Sequence, residues 1–303
     1  MTLNLLYGPI LSLKFLFFCL FLIDSSLCYG SYLYDLSLCA IFRDEAPYLK
    51  EWIEFHRLVG FQHFYLYNHK SEDNYLEVLQ PYIKKGIVEL VNISPDNPYD
   101  PIEDWNGLQC SCYTETLNKS RGVSRWLAFL DTDEFLFPVR PIRLTKFLKN
   151  FRDVGGVCIN WHMFGTSFVE EIPPGELLIE KLTCCSPIDF GPNNHVKIIV
   201  QPKKTAYIPN PHFAIFFPPY HSVNTDRHFA PYATSPYIQL NQLRINHYWT
   251  RTEKFFREKK IPRRQKWGNQ LEDLWHFHKI LNSEKNHLIT RYATPLRKRM
   301  FFN

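Results

Sequence analysis

The chain has 303 residues, of which 45% are hydrophobic and 21% are charged, and its formal net charge is +5. This is the composition of a globular protein with a substantial core. From Arg251 onward there are 14 lysine and arginine residues against 5 acidic ones, so the positive charge is confined to one terminal segment and argues against a nucleic-acid partner. We expect the last basic cluster, Arg297 to Arg299, to lie on a solvated helical face and a frayed tail.

A targeting segment is predicted at the N-terminus. Lys14 precedes the apolar run Phe15 to Ile23, which is short for a bilayer span of about 20 residues but fits the centre of a signal peptide. We therefore assign residues 1–30 to a signal peptide or short signal anchor, and residues 31–303 to a single domain. The protein is expected to be exported or membrane-associated through this segment, in the secretory-pathway lumen or in a bacterial periplasm or envelope.

Short apolar runs alternate with helix-like segments after the leader. Strands are predicted at residues 36–42, 63–67, 87–93 and 126–130, and helices at residues 47–60, 75–84 and 109–119. This alternation of strands and helices predicts an α/β fold with a mostly parallel sheet flanked by helices. Ligands of such sheets bind beyond the carboxyl ends of the strands, so the polar segments at residues 43–45, 68–73 and 131–134 should line one edge.

The second half of the chain has a looser pattern. Further strands are predicted at residues 157–161, 197–200, 207–208 and 243–249, and helices at residues 252–260 and 271–281. Residues 189–237 are rich in proline, asparagine and histidine, which indicates long loops of the kind that form a substrate wall.

Asp131 and Asp133 follow the predicted strand at residues 126–130. Two carboxylates one residue apart can face a common metal from a turn, and hard oxygen ligands favour Mg²⁺ or Mn²⁺. His247, after another apolar run, could supply a third ligand, and Arg251 or Lys254 could contact phosphate. An exposed capping turn and an ordinary core histidine remain the alternatives.

Trp161 and Gly165 follow a predicted strand as well. The indole could stack on a sugar and the glycine would allow close backbone approach to it, but a strand end packed into the core is equally compatible with the sequence. The spacings of His195, His212, His221 and His228 match no common zinc site. The eight cysteines show no zinc-knuckle spacing either, and in an exported chain one or two disulfides are expected.

Several sequence blocks resemble glycosyltransferase family 92. They comprise Cys39 to Glu45, Tyr48 to His56, Gly60 with Phe61, Phe64 to Tyr67, Trp126 with Phe129 to Phe135, Asn160 with Trp161, Phe164 with Gly165, His195 to Lys197, and Asn246 to Tyr248. The resemblance implies a GT-A fold, a UDP-sugar donor (UDP-galactose in known members), a glycan or glycoconjugate acceptor and an inverting mechanism. Thr250-Arg251 and Asp44 depart from the residues usual in the family, which leaves sugar and acceptor open.

The expected mechanism assigns further roles. Asp131, Asp133 and His247 would hold the metal, so the base that deprotonates the acceptor must come from elsewhere. Glu180 is the candidate base, chosen from the downstream carboxylates Glu170, Glu171, Glu180 and Asp189. Arg43, Glu45 and Asp73 would line the nucleotide pocket and Lys197 would meet the diphosphate, although capping or solvated roles remain open for these four. A metal-dependent phosphohydrolase and a non-catalytic carbohydrate-binding protein are the alternative functions.

Overall fold

A computed structural model describes residues 32–94 and 104–301. The leader predicted at residues 1–30 lies outside these ranges. None of the helices within them is long and apolar enough to cross a membrane. The six cysteines of the described chain, Cys39, Cys110, Cys112, Cys158, Cys184 and Cys185, are all free, so the expected disulfides do not form among them.

Thirteen strands are described. They are β1 (Tyr34–Phe42), β2 (His63–Asn68), β3 (Val88–Asn92), β4 (Ser124–Phe129), β5 (Glu134–Pro138), β6 (Gly156–Met163), β7 (Cys184–Cys185), β8 (Val196–Val200), β9 (Thr205–Asn210), β10 (Phe213–Phe216), β11 (Ser222–Val223), β12 (Leu243–His247) and β13 (Glu284–Lys285). All four strands predicted in the first half of the chain are present, with ends shifted by one or two residues.

Nine α-helices lie in the same described part of the chain. They are α1 (Ala46–Val59), α2 (Tyr75–Lys84), α3 (Trp105–Ser120), α4 (Leu144–Leu148), α5 (Leu178–Lys181), α6 (Glu253–Phe255), α7 (Ile261–Lys266), α8 (Leu271–Leu281) and α9 (Ala293–Phe301). A π-helical turn, Phe256–Lys260, joins α6 to α7, and short 3₁₀ turns lie at Lys149–Phe151, Gly191–Asn194, Pro202–Lys204 and Leu288–Tyr292. Helices α2 and α8 have the predicted bounds.

The main sheet has the strand order β3-β2-β1-β4-β8-β6-β12-β5, with β11 beside the start of β6. Strands β1 to β4 are parallel, and β6 and β12 are parallel to each other. Among the described strands of this sheet, only β8 and β5 run antiparallel to their neighbours. The predicted α/β fold with a mostly parallel sheet flanked by helices is therefore confirmed.

Side chains of successive β1 residues enter two different cores, as a strand between two layers requires. Leu38 and Ala40 belong to the core under α1 and α2, whereas Cys39 and Ile41 belong to the core under α3 and the β9–β10 hairpin. Helix α1 is capped by Gly60, whose φ of 123° is accessible to glycine and strained for other residues. Both layers hold the carboxyl ends of β1 and β4 in place at one edge.

The C-terminal segment is helix α9 rather than a frayed tail. Leu296 is fully buried. Arg297 hydrogen-bonds to Glu180, and Arg299 lies 3.3 Å from Glu54 of α1. The expected helical face is present, but the expectation of a frayed tail was wrong, because the apolar face of this basic helix packs against the core.

Candidate active site

A cavity of about 480 Å³ opens at the carboxyl ends of β1 and β4. Most of its lining falls into three groups: carboxylates, cations and rings. These are Glu45, Asp131 and Asp133; Arg43, Lys260, Arg263 and Arg264; and Phe42, Trp105, Trp161, His195, His212, His247, Trp249, Trp267 and Phe277. Such a mixture suits a ligand with anionic and flat apolar parts.

Asp131 is fixed by two side chains from neighbouring elements. Gln109 of α3 donates to its Oδ1 at 2.9 Å, and Lys197 of β8 donates to its Oδ2 at 2.9 Å. Burial alone would raise the pKa of Asp131, but the charge and hydrogen bond of Lys197 outweigh it and hold the pKa below its ordinary value. Asp131 is therefore an ionised and rigid carboxylate.

Glu134 closes the turn that carries both aspartates. Its Oε2 accepts a hydrogen bond from the backbone N–H of Asp131 at 3.0 Å, and its own N–H donates to the Asp131 carbonyl at 3.1 Å. The side chain is fully buried, which raises its pKa well above the ordinary value although Lys197 Nζ lies 3.7 Å away. The reciprocal bonds fix the Asp-Thr-Asp turn at the end of β4.

Asp133 lies between an imidazole and an ammonium group. His247 Nε2 is 3.5 Å from its Oδ1, and Lys260 Nζ is 3.8 Å from its Oδ2. The backbone N–H of Tyr248 donates to the Asp133 carbonyl at 2.8 Å, which ties the turn to the end of β12. Burial would raise the pKa of Asp133, but His247, followed by Lys260, lowers it. The carboxylate is thus kept ionised.

Asp133 and His247 fit a hard divalent cation. In the described chain, no three His, Cys, Asp or Glu side chains are grouped so as to hold a metal by themselves. Mg²⁺ typically uses one or two carboxylates and completes its octahedral shell with water and substrate phosphates, so a full protein cage is not required. The donor set of one ionised carboxylate and one imidazole suits an ion that arrives with a diphosphate.

Trp161 is the centre of an aromatic wall. Its ring stacks on His195 at a centroid distance of 5.1 Å and contacts His212 at 5.2 Å and His247 at 4.4 Å. Strand β6 supplies the indole, while the three imidazoles come from the start of β8, the β9–β10 turn and the end of β12. Trp161 thus contacts His247, at the predicted metal end of the cavity, as well as the imidazoles of His195 and His212.

Glu45 and Arg251 form a buried ion pair at the cavity margin. The Arg251 side chain is 1% exposed and its guanidinium lies 3.7 Å from the centroid of the Tyr48 ring. Burial raises the pKa of Glu45 to about 7 despite the opposing effect of Arg251. Arg251 therefore positions Glu45 and is not free to contact phosphate as predicted, and Lys254 pairs with Glu171 at the surface.

The structure brings six of the residues predicted for the site to one cavity: Arg43, Glu45, Asp131, Asp133, Trp161 and His247. Lys197 lies behind Asp131 instead of lining the cavity, because its ammonium group is the counter-ion of that carboxylate.

Three other residues predicted for the site are used elsewhere. Asp73 accepts hydrogen bonds from the backbone of Ala46 and of the first α2 residue. Gly165 packs against the end of α8, where a Cβ would lie 2.5 Å from the Leu281 carbonyl. The Glu180 carboxylate binds Arg297, so the structure does not bring this candidate base to the cavity.

A cationic wall was missed from the sequence. Lys260, Arg263 and Arg264 line the cavity from the π-helical turn and α7. Their charges lie over indole rings: Lys260 Nζ is 4.7 Å from the Trp249 centroid, and Arg263 is 5.3 Å from that of Trp267. Burial lowers the pKa of Lys260 to about 7. The local excess of basic residues after Arg251 was the available signal, but it did not indicate which of them turn inward.

The mostly parallel sheet with carboxylates at its strand ends is the arrangement expected of the predicted fold. The family model of glycosyltransferase family 92 matches residues 34–284, which is most of the sequence. The chain belongs to glycosyltransferase family 92, and the family predicted from the sequence blocks is confirmed.

Relatives in plants share this family. A glycosyltransferase family 92 protein of Ricinus communis is 25% identical over 232 residues, covering 75% of this chain and 37% of the relative. Another of Oryza sativa subsp. japonica is 25% identical over 234 residues, covering 75% of this chain and 35% of the relative. The chain thus spans little more than a third of the length of these curated relatives. The structure of S. aureus TarS 1–349 in complex with UDP aligns over 55% of this chain and 47% of that chain, with 12% identity and a TM-score of 0.33, which is too low to carry an argument.

Proposed function

We propose that the chain transfers a sugar from a UDP-sugar to a hydroxyl group of a glycan or glycoconjugate, with Mn²⁺ or Mg²⁺ as cofactor. One observation carries the proposal: the ionised Asp133 shares a cavity with an imidazole, a cationic wall and stacking rings. A nucleoside diphosphate-sugar offers a partner for each of these features, because it combines a base, a metal-binding diphosphate and a sugar face.

The donor would lie with its diphosphate between Asp133 and the cationic wall. Asp133 and His247 would hold the metal, while Lys260, Arg263 and Arg264 would attract the phosphate oxygens. When bound, a divalent ion neutralises the charge that builds on the leaving diphosphate. Lys260 Nζ, 3.8 Å from Asp133 Oδ2, would supply positive charge to the phosphate oxygens beside the ion.

The other parts of the proposal follow the family resemblance. Arg43 and Glu45 would border the nucleotide, the transfer would invert the anomeric centre, and UDP-galactose is the first donor to test. Trp161 offers a ring face of the kind on which sugars stack. Export, or membrane association through residues 1–30, also remains part of the proposal.

The test is a metal-dependence assay on the full chain with a panel of UDP-sugars. Transfer or slow donor hydrolysis should require Mn²⁺ or Mg²⁺, stop with EDTA, and fall at least about a hundredfold in Asp133→Asn, since a transition-state charge contact is lost. Asp189→Asn is the matched control, because Asp189 is exposed and does not line the cavity. Activity that is indifferent to EDTA and to Asp133→Asn would contradict the metal assignment.

The same assay separates the alternative functions. Release of phosphate from a generic ester, without binding of UDP, would identify a phosphohydrolase. Binding of UDP with no turnover of any donor would identify a non-catalytic carbohydrate-binding protein.

A further inference from the structure

The carboxylates that line the cavity are all engaged. Among the described residues they are Glu45, Asp131 and Asp133. Glu45 is paired with Arg251, Asp131 accepts from Lys197, and Asp133 faces His247. Asp131 is held by Lys197, Asp133 is assigned to the metal, and Glu45 is anchored to Arg251 at the cavity margin, which favours a base from the other side chains that line the cavity.

We propose that His212, in the turn between β9 and β10, is this general base, an assignment that rests on the proposed sugar transfer. Its ring lines the cavity. Its Nδ1 lies 2.8 Å from the carbonyl oxygen of Val196, and its backbone N–H donates to Asn210 Oδ1 at 3.0 Å. The turn and the first residue of β8 together fix the position of the ring.

The hydrogen bond to Val196 also fixes the tautomer. A carbonyl oxygen can only accept, so Nδ1 carries the proton and Nε2 of the neutral ring is left as an acceptor. Within the part of the chain that the structure describes, no side chain or backbone group hydrogen-bonds to His212 Nε2. A neutral imidazole with one nitrogen anchored and the other free is the arrangement that general-base catalysis requires.

The two other imidazoles of the wall are less suited. His247 directs its Nε2 toward Asp133 at 3.5 Å, which assigns it to the metal end. His195 lies flat on Trp161, with an interplanar angle of 14°, and its Nδ1 is 3.2 Å from the Pro192 carbonyl. The face of the His195 ring is therefore covered by the indole. The His212 ring meets the indole edge-on, with an interplanar angle of 69°.

Trp161 relates the base to the leaving group. Its ring contacts both His247 and His212, while these two imidazoles do not contact each other. A sugar lying against the indole would therefore have the diphosphate near His247 and the acceptor near His212. Inversion needs this separation, because the attacking oxygen and the leaving oxygen occupy opposite faces of the anomeric carbon.

The chemical step is balanced without a further reactant. The acceptor O–H gives its proton to His212 Nε2 as its oxygen bonds to the anomeric carbon. The bond from that carbon to the diphosphate oxygen breaks, and its electron pair stays on UDP. The imidazolium then returns its proton to solvent. The products are a glycoside, UDP and one proton.

The surroundings of His212 keep it in the basic form. Burial lowers the pKa of His212 to about 4, and the charges of Lys197 and His195 act in the same direction. The charge of Asp131 raises the pKa but does not outweigh them. A pKa near 4 equals that of an ordinary aspartate. The ring is therefore neutral at physiological pH and available to accept a proton.

Two variants of the full chain test the assignment. His212→Ala removes the ring, whereas His212→Asn keeps a side-chain N–H for Val196 and removes only the accepting nitrogen. Both should lower kcat about 10²- to 10⁴-fold and leave the Kd for UDP with Mn²⁺ within about threefold, and added imidazole should restore part of the activity of His212→Ala. His221→Ala is the control, because His221 is an exposed imidazole of the same loop region.

Each other outcome overturns the assignment in a distinguishable way. If His212→Asn transfers sugar within threefold of the unaltered chain, His212 is not the base. If both variants lose UDP binding together with activity, and imidazole restores nothing, the residue is structural. If the unaltered chain neither binds UDP nor transfers sugar, the proposed function fails and this assignment fails with it.

Discussion

Lys197 Nζ lies 2.9 Å from Asp131 Oδ2 and 3.7 Å from Glu134 Oε2, on a side chain that is only 1% exposed. One buried ammonium group therefore lies beside two carboxyl groups at the end of β4, the partly exposed Asp131 and the buried Glu134. The lysine comes from β8, which runs antiparallel to β4. The Asp-Thr-Asp turn thus depends on a cation supplied from the neighbouring strand.

Replacing this cation should destabilise the fold. Lys197→Met would remove the counter-ion of the partly exposed Asp131 carboxylate and the ammonium group beside Glu134, and we expect the free energy of unfolding to fall by about 1–3 kcal/mol. Urea denaturation measures the loss. Lys203→Met, at an exposed position in the 3₁₀ turn Pro202–Lys204, is the control and should change the free energy of unfolding by less than about 0.5 kcal/mol. An equal effect of the two variants would contradict this role.

Stability should depend on pH through Glu51. Burial raises the pKa of its carboxyl group from 4.5 to about 7, although the backbone N–H groups of Leu178 and Ile179 donate to it. The folded state thus binds this proton more tightly than the unfolded state, so stability is lost as pH rises from 4.5 to about 7. The free energy of unfolding should differ between pH 5 and pH 8 by about 2–3 kcal/mol less in Glu51→Gln than in the unaltered chain. Unchanged pH dependence in urea denaturation of this variant would refute the prediction.

Gly165 should tolerate no side chain, for a reason of packing. A Cβ there would lie 2.5 Å from the Leu281 carbonyl oxygen and 2.5 Å from Asn282 Oδ1. We expect Gly165→Ala to lower the free energy of unfolding by about 1–3 kcal/mol or more. Gly191→Ala is the matched control, since nothing lies within 4 Å of its Cβ position. Thermal unfolding of both variants measures this loss of stability, and equal melting temperatures would contradict the predicted clash at Gly165.

Glu180 should be dispensable for catalysis. Its carboxylate accepts from Arg297 Nε at 3.2 Å, which ties α5 to α9, and it is absent from the cavity lining. Glu180→Gln should keep sugar transfer within about threefold of the unaltered chain, because general-base loss costs about 10²–10⁴-fold. Arg297→Ala should weaken the same link and also spare activity. A hundredfold loss of kcat in Glu180→Gln with normal stability would restore this residue as the base.

The sequence predicted those elements whose pattern is local. Helices α2 and α8 and strand β1 carry periodic apolar residues, and periodicity depends on neighbours in the chain. Strand β5 was missed because its partner, β12, lies more than a hundred residues later. Nothing within Glu134–Pro138 itself distinguishes a strand from the continuation of the turn before it.

The residues of the candidate site also divide into those that a local pattern predicts and those that depend on a distant partner. Asp131 and Asp133 could be predicted because a strand end and two carboxylates are visible in six residues of sequence. The roles of Lys197 and Gly165 could not, since each is set by one distant partner, Asp131 or Leu281. The inward turn of Lys260 likewise depends on Trp249 and Asp133, which only the tertiary fold brings close.

Strand β12 lies between β6 and β5, although it follows both by many residues in the chain. A nascent polypeptide that has emerged only as far as β6 therefore presents two apolar strands with open hydrogen-bonding edges, and these invite pairing with other chains. His247 reaches Asp133 in the same event that closes these edges. Pairing of these open edges and completion of the proposed metal site thus occur together, and neither can occur before β12 has been synthesised.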